Sequence, residues 1–217
     1  MADSTKDTIL DAAEQLFATK GFAATSLRAI IKAAGVNTAA IHYHFGSRAG
    51  LVAAVLARRA EPVNAERLRR LTALEARHGG GAVPVEDVVD AFVRPVLEHL
   101  DPEPTASLLP RLLGRVIIDA DDDLHESVLH TFGATASRFL GALSRSLPHL
   151  DEEEIFWRMH FVIGAMAFGV VMPCAFRAGD DVLFRRGEPE ETARRLVRFA
   201  AAGLRAGAPL AAGKEPS

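Results

Sequence analysis

Apolar residues recur at intervals of three and four along almost the whole of this 217-residue chain. This spacing places them on one face of an α-helix, whereas a half-buried β-strand alternates apolar and polar residues. We find no such alternation and no Asn-Gly pair that would mark a hairpin. The sequence therefore predicts an all-α fold. A clear example of the helical pattern is Leu124, Val128, Phe132, Ala136, Phe139, Leu143 and Leu147.

Glycine and proline residues divide this helical pattern. Gly35 ends a second short helix, Pro62 is expected to kink or interrupt a long fourth helix, and the glycines at 79–81 form the clearest linker. The pattern predicts a three-helix N-terminal domain over residues 1–47. A helical C-terminal domain over 48–206 begins with the long fourth helix, and a disordered tail over 207–217 follows.

Charge is distributed unevenly, although the whole chain carries a net charge of only −3. No acidic residue occurs between Glu14 and Glu61; residues 1–60 carry +3, whereas residues 61–217 carry −6. A basic segment joined to an acidic remainder indicates an N-terminal part that binds a polyanion such as DNA. A solvated basic face would give the same charge count, so other features of this segment must decide between these two interpretations.

Other functional classes find little support in the sequence. The single cysteine, Cys174, excludes an internal disulfide framework and a multi-cysteine zinc site. The longest uncharged run, 161–176, is shorter than the roughly 20 residues of a membrane span. The polar start does not resemble a secretory signal, so we expect a cytoplasmic protein without a membrane partner.

Catalytic and metal-binding patterns are weak as well. The acidic run from Asp119 to Glu126, with His130 nearby, could form a metal cluster, but acidic residues at a helix start are favoured by the helix dipole. We find no phosphate-binding loop after a strand and no nucleophile motif. We therefore predict no metal site, no cofactor and no enzymatic activity.

The segment from Thr25 to Leu51, TSLRAIIKAAGVNTAAIHYHFGSRAGL, contains two short helical patterns separated by a tight turn at 34–37. This is the helix-turn-helix layout. The amide groups at the two helix starts, near Ser26 and Asn37, suit phosphate oxygens, and the guanidinium group of Arg28 can bind guanine. The second helix presents Thr38, Ala39, Ala40, His42 and Tyr43 outward, and His44 and Arg48 complete a rim that faces phosphates.

This segment resembles the DNA-binding domain of the TetR (tetracycline-repressor-like) family of bacterial transcription regulators. The similarity rests on the start ILDAAEQLFATKGFAATS and on the run AGVNTAAIHYHFGSR, and it covers about residues 8–56. The resemblance implies an all-helical homodimer whose variable C-terminal domain binds a small ligand and thereby controls the affinity for DNA.

The contact positions of the family can be matched to this sequence one by one. Ser26 and Asn37 match contacts to the DNA backbone. The base-facing positions are Arg28, Thr38, Ala39 and Ala40. Tyr43, His44 and Arg48 match the remaining groove and phosphate positions. His42 replaces the usual tyrosine; it can donate to a phosphate, but its charge changes near neutral pH.

The remainder of the chain reads as further helices over 85–100, 105–119, 121–147 and 151–176 and from Pro189 onward. The helix over 151–176 is apolar around most of its circumference, so it could fill the core, form a dimer interface or line a ligand cavity. Arg111, Arg115 and Arg158 could receive a carboxylate, although surface ion pairs are commoner. The candidate ligand-binding residues are Phe92, Leu112, Val116, Phe132, Phe139, Trp157, His160, Phe161 and Met166.

The sequence thus predicts a ligand-responsive transcription regulator, a repressor that binds a palindromic operator as a homodimer. The runs RRAEPVNAERL and EEEIFWRMHFVIGAMAF resemble a branch of the TetR family that includes fatty-acid and lipid-metabolism regulators. That resemblance implies a small apolar or lipid-like effector. The alternative is an all-helical small-molecule-binding protein or enzyme that does not recognise an operator.

Overall fold

Helices make up nearly all of the residues that the computed structural model describes, namely 2–21, 24–98, 122–171, 177–178, 181–182 and 188–207. Within these ranges the predicted all-α fold is confirmed. We call helices α1–α3 the head and helices α4–α8 the body. The helices are α1 (Ala2–Lys20), α2 (Leu27–Ala34), α3 (Thr38–Phe45), α4 (Arg48–Arg77), α5 (Val85–Glu98), α6 (Asp122–Ser146), α7 (Glu152–Val171) and α8 (Pro189–Arg205), and the two short strands are β1 (Arg177–Ala178) and β2 (Asp181–Val182).

The ends of the short N-terminal helices are set by their caps. The side chains of Ser26, Asn37 and Ser47 each accept the backbone N–H of the third residue that follows, at 3.2, 2.9 and 3.0 Å. These bonds satisfy amide groups that would otherwise lack a partner in the first turn. Gly35 ends α2 with a φ of +65°, and its N–H donates to the carbonyl of Ile31. The predicted helix starts and stop are confirmed.

The head encloses a small core that the first half of α4 completes. α1 packs against α2 and α3, and α4 packs against α1 and α3. The approach of α3 to α4 is close, because a Cβ atom on Gly50 would overlap the carbonyl oxygen of Phe45. The buried residues at this junction include Ile9, Ala13, Phe17, Ile30, Ile41, Leu51 and Val55.

Helix α4 has 30 residues and continues through Pro62, so of the two predicted effects of this proline, a kink or an interruption, the interruption is wrong. Pro62 has no N–H to donate to the carbonyl of Arg58, but it is exposed, and water can satisfy that carbonyl. On the other side, Ala60, Val63 and Arg67 are buried, since α4 packs against α5 and α6. This packing supports the helix across the proline.

The body is a bundle in which α4 packs chiefly on α6, and α5 packs chiefly on α8. Helix α7 packs against α6 and α8. In the described residues the predicted body helices agree with α5, α6, α7 and α8 to within a few residues. The predicted end of the 151–176 helix, residues 172–176, lies outside the described residues. The helix predicted over 105–119 lies outside the described residues, as does nearly all of the predicted tail.

One short element was not predicted. Strands β1 and β2 pair antiparallel, with Arg177 opposite Val182 and Ala178 opposite Asp181. Two residues per strand are too few for an alternating pattern to be visible in the sequence. In the described ranges no helix is both long and apolar enough to cross a membrane.

Candidate nucleic-acid interface and effector site

Helix α3 presents a polar and aromatic surface on one side and buries an apolar residue on the other. Ile41 is 0% exposed, whereas Tyr43 is 83% exposed. Ala40 is half-buried against the core, so it lies at the edge of the outward surface. Two of the predicted base-facing positions, Thr38 and Ala39, are exposed on this helix. His42 and Tyr43, which were predicted for phosphate or other groove contacts, are exposed there as well.

Ser26 and Asn37 lie at the exposed starts of α2 and α3, and each side chain already accepts a backbone hydrogen bond. The Oγ of Ser26 accepts from Ala29, which leaves its O–H available as a donor. The Oδ1 of Asn37 accepts from Ala40, which leaves its Nδ2 group available as a donor. Both side chains can therefore cap a helix and donate to a phosphate at the same time.

His42 closes the C-terminal end of α3. Its Nδ1 lies 2.9 Å from the carbonyl oxygen of Gly46. Because a carbonyl only accepts, Nδ1 carries the hydrogen, and the Nε2 of the neutral ring is then an acceptor. Only a protonated His42 can donate from Nε2 to a phosphate oxygen. The resemblance to the family did not indicate this second bond.

Arg48 has a structural contact in addition to its predicted phosphate contact. Its Nη2 donates to the carbonyl of Thr25 at 3.4 Å. Thr25 is 1% exposed, and its Oγ1 donates to the carbonyls of Gly21 and Leu16 at 2.7 and 3.2 Å. Arg48 therefore links the start of α4 to the turn before α2. Arg48 is itself exposed.

The basic residues of the acid-free segment fall into two groups. Arg58 donates to Asp11 at 2.6 Å, which raises the pKa of Arg58, and Arg59 pairs with Glu14. These two cations are neutralised by α1. By contrast, no carboxylate in the described ranges lies within salt-bridge distance of Arg28 or of the other exposed cation on α2, Lys32. The surface of α2 and α3 therefore keeps its positive charge.

In the body, three of the predicted ligand residues meet around a buried cation. The rings of Phe92 and Phe139 pack edge to face with centroids 5.1 Å apart. The guanidinium carbon of Arg67 lies 3.9 Å from the centroid of the Phe92 ring, and its Nη2 lies 3.8 Å from the Sδ of Met166. Phe132 is half-buried against the same core. Leu112 and Val116 lie outside the described residues.

The other predicted ligand residues lie elsewhere. Trp157, His160 and Phe161 are exposed on α7, and the rings of Trp157 and Phe161 stack at 6.3 Å. Nδ1 of His160 lies 2.9 Å from the carbonyl of Phe156. The structure does not bring these residues together with Phe92. We call the outer apolar face the set of exposed rings Phe156, Trp157, Phe161 and Phe168 on α7 and Phe199 on α8.

An open cleft of about 810 Å³ lies where the head meets the body. Its walls come from α1, from α4 and from α6. The charged and titratable side chains in these walls are Lys6, Asp7, Arg58, Glu61 and His130, and the apolar ones include Leu10, Ala54, Ala57 and Ala65. Asn64 lies at the inner wall, where its Nδ2 donates to the carbonyl of Thr131 at 3.1 Å.

Arg67 and Asn64 could not be predicted as buried, because a polar residue on a largely solvated helix face gives no sign that a neighbouring helix covers it. Arg158 forms an ion pair, the commoner of its two expected uses, but it is buried rather than at the surface. Arg158 is 8% exposed and pairs with Glu154 at 2.7 Å. It also donates to the last carbonyls of α8, those of Gly203 and Leu204, at 3.1 and 2.9 Å. Arg158 therefore fixes the end of α8.

Two family models match this chain. Residues 9–55 match the bacterial regulatory proteins of the tetR family, and residues 90–203 match the tetracyclin repressor-like C-terminal domain. The chain belongs to the TetR family. It is therefore a DNA-binding transcriptional regulator with a helix-turn-helix motif, and this is a family of regulators rather than enzymes.

Individual relatives of this TetR-family chain agree with the assignment. The "Probable HTH-type transcriptional regulator YttP" of Bacillus subtilis (strain 168) is 50% identical over 52 residues, which span 24% of this chain and 25% of that protein. NalD of Pseudomonas aeruginosa, the secondary repressor of the MexAB-OprM multidrug efflux pump, has the same fold, with a TM-score of 0.61 at 22% identity over 93% of this chain and 95% of NalD. GusR of Salmonella enterica matches with a TM-score of 0.59 at 16% identity over 94% and 96%.

Proposed function

We propose that this protein is a repressor that binds a palindromic operator as a homodimer and releases it when a small effector binds to the body. Residues 1–47 would form the DNA-binding domain, and residues 48–206 the effector-binding and dimerisation domain. The observation that carries the proposal is the exposed surface of α3, which contains no acidic residue. The N-termini of α2 and α3, capped by Ser26 and Asn37, are exposed as well. Because bacterial operators lie in the cytoplasm, the repressor would act there.

Helix α3 would read the bases in the major groove. The small side chains of Thr38 and Ala39 allow the backbone to approach base edges, and a methyl group of alanine can pack on a thymine methyl. Ala40 would contact DNA only at the edge of this surface. Arg28 on α2 is exposed and without a carboxylate partner in the described ranges, so it can bind a guanine with two hydrogen bonds.

Contacts to phosphates would fix the orientation of the head. The O–H of Ser26 and the Nδ2 of Asn37 are donors at the two helix starts. His44 and Arg48 extend this rim, and Tyr43 can donate its hydroxyl. His42 would add a phosphate contact only when it is protonated, since its Nδ1 is occupied by Gly46. Such contacts supply affinity and register rather than sequence specificity.

A second copy of the chain would cover the outer apolar face. The five exposed aromatic rings lie on two helices that pack against each other, and exposed apolar patches often mark a contact between proteins. A twofold axis through such a face pairs the same patch of both copies. We therefore assign Trp157, His160 and Phe161 to this contact rather than to the effector site. The two heads would then reach successive major grooves, about 34–36 Å apart.

The effector would bind where α4, α5, α6 and α7 converge, around Phe92, Phe139 and Met166. These side chains are buried, and Phe92 and Met166 both contact Arg67. Helix α4 runs from this region to the head without interruption. A ligand that favours a different inclination of α4 would change the spacing of the two heads and so lower the affinity for the operator.

The deciding experiment recovers bound fragments from sheared genomic DNA of the source organism, with purified wild type and with Arg28→Ala. A matched control is Arg69→Ala, which removes an exposed arginine from the body. We expect the wild type and Arg69→Ala to enrich one palindrome and Arg28→Ala to lose it. Recovery should also fall steeply with added salt. Equal, salt-insensitive recovery by all three proteins would overturn the proposal and favour an all-helical small-molecule-binding protein.

A further inference from the structure

Arg67 is the most deeply buried cation in the described part of the chain. It is 4% exposed, in the middle of α4, where α5 and α7 also contact it. Its Nε donates to the carbonyl of Phe92 at 2.8 Å, its Nη1 to the Oδ1 of Asn64 at 3.3 Å, and its Nη2 points to the thioether of Met166 at 3.8 Å. The guanidinium also covers the ring of Phe92 at 3.9 Å.

All of these partners are neutral. In the ranges that the structure describes, no carboxylate lies within salt-bridge distance of Arg67, whereas Arg158, the other buried arginine, pairs with Glu154. Burial alone lowers the pKa of Arg67 to about 9, so the group is still charged at neutral pH. A buried charge without a counter-ion is costly. A thioether is a weak acceptor, so the Nη2 position gains most from an anion.

The open cleft gives an anion a route to this charge. Asn64 lines the cleft and also accepts from Nη1 of Arg67, so it links the wall of the cleft to this guanidinium. The volume of about 810 Å³ is within the usual range of ligand sites. Lys6, Arg58 and His130 face this space together with Asp7 and Glu61, and Leu10 and three alanines provide apolar wall.

We propose that the effector is an organic anion, an apolar molecule with one carboxylate, which enters through this cleft and pairs with Arg67. This inference rests on the proposed effector-responsive function and names its ligand class. The carboxylate takes the place of the Asn64 oxygen and the Met166 sulfur, and the planar guanidinium binds it with two parallel hydrogen bonds. The carboxylate then lies beside Phe92 and Met166, at the inner end of the effector site proposed above. The apolar part extends from there into the cleft along α1 and α4, so the ligand touches both head and body.

The test measures the thermal midpoint of the full-length protein with straight-chain monocarboxylates from acetate to decanoate, at constant ionic strength. The matching alcohols carry the same apolar chain without the charge. We expect the longer carboxylates to raise the midpoint by about 2–4 °C at roughly five times their dissociation constant, and the alcohols not to do so. Arg67→Met should abolish this response, and Arg67→Lys should restore part of it.

Two further variants separate the proposed role from a structural one. Arg69→Met removes an exposed arginine from the same helix and should respond as the wild type does. Asn64→Ala keeps the charge of Arg67 and removes its neutral partner, so it should respond more strongly than the wild type. If Arg67→Met does not fold, the Asn64→Ala response decides. No carboxylate response in the wild type, an equal response in Arg67→Met, or a weaker one in Asn64→Ala would overturn the inference.

Binding to the operator is measured separately, by the genomic recovery experiment described above. Failure to recover an operator together with a carboxylate response that depends on Arg67 would reject the repressor and keep the anion site. Recovery of an operator without that response would keep the repressor and reject the anion site. A carboxylate that binds Arg67 and also lowers recovery of the operator would support both.

Discussion

Glu14 on α1 forms an ion pair with Arg59 on α4, and the carboxylate is 5% exposed. Its second oxygen, Oε1, lies 3.8 Å from the Nε of Arg58 and has no hydrogen-bond partner. The neighbouring Asp11 pairs with the same Arg58 but is exposed. The head is thus joined to α4 by one buried and one exposed carboxylate.

Replacing Glu14 by glutamine should lower the free energy of unfolding by about 1–3 kcal/mol, because it leaves Arg59 without its buried partner. Urea denaturation at neutral pH measures this change. Asp11→Asn is the matched control and should cost no more than about 0.5 kcal/mol, as exposed pairs usually do. Equal losses in both variants would show that the burial of Glu14 has no energetic consequence.

Tyr43→Ala should weaken operator binding by about 1–3 kcal/mol, which corresponds to roughly a fivefold to 150-fold loss of affinity. The folding midpoint should not change, since the ring is 83% exposed and contributes little to the core. Fluorescence anisotropy with the recovered operator and a thermal melt of each protein give the two quantities. Thr19→Ala, an exposed change on α1, should leave both unaltered. A loss of stability as large as the loss of affinity would contradict the assignment.

Phe161→Glu should convert the proposed homodimer into monomers at micromolar concentration, because it places a charge in the outer apolar face, where Phe161 is 69% exposed. Sedimentation equilibrium measures the molecular mass of each protein in solution. Lys32→Glu changes the charge of an exposed residue on the head and should leave the mass unaltered. A wild-type protein that sediments as the 23.3 kDa monomer would remove the dimer from the proposal.

The hydrogen bonds of Glu66 predict how the stability of the protein depends on pH. It accepts hydrogen bonds from Arg69 and Arg70, which lower the pKa of its carboxyl from 4.5 to about 2 in the folded protein. The contribution of the Glu66 carboxylate to the stability of the folded protein is therefore complete above about pH 4.5 and is lost as the pH falls from there to about 2. Glu66→Gln should flatten the stability curve in this interval only. Glu61→Gln, an exposed control on the same helix, should not, and urea midpoints between pH 2 and 7 compare the two.

The elements that could be predicted from the sequence are those that depend on local interactions. The caps at Ser26, Asn37 and Ser47 and the stop at Gly35 follow from side-chain chemistry and backbone conformation within a few residues. The outward face of α3 follows from helical periodicity once Ile41 is recognised as core. For the same reason, most of the predicted nucleic-acid residues lie on one surface, although their contacts with DNA remain predictions.

The features that could not be predicted depend on packing between distant segments. The sequence around Arg67 does not show that α5 and α7 bury it. The rule that proline breaks a helix failed at Pro62, because packing of Ala60 and Val63 supports the helix on the other side. Likewise, Trp157 is exposed and Phe92 is buried, although both belong to apolar patterns in the sequence.

The contact between Gly50 and Phe45 determines how motion can reach DNA. A single added methyl group would collide with the Phe45 carbonyl, so the end of α3 and the first turn of α4 have no room to slide past each other. We therefore expect the two helices to turn together. Since α4 is about 45 Å long, an inclination of only about 5° imposed at one end displaces the other by about 4 Å. That displacement exceeds the length of a hydrogen bond, so a small rearrangement in the body would be enough to move α3 out of register with the base pairs that it is proposed to read.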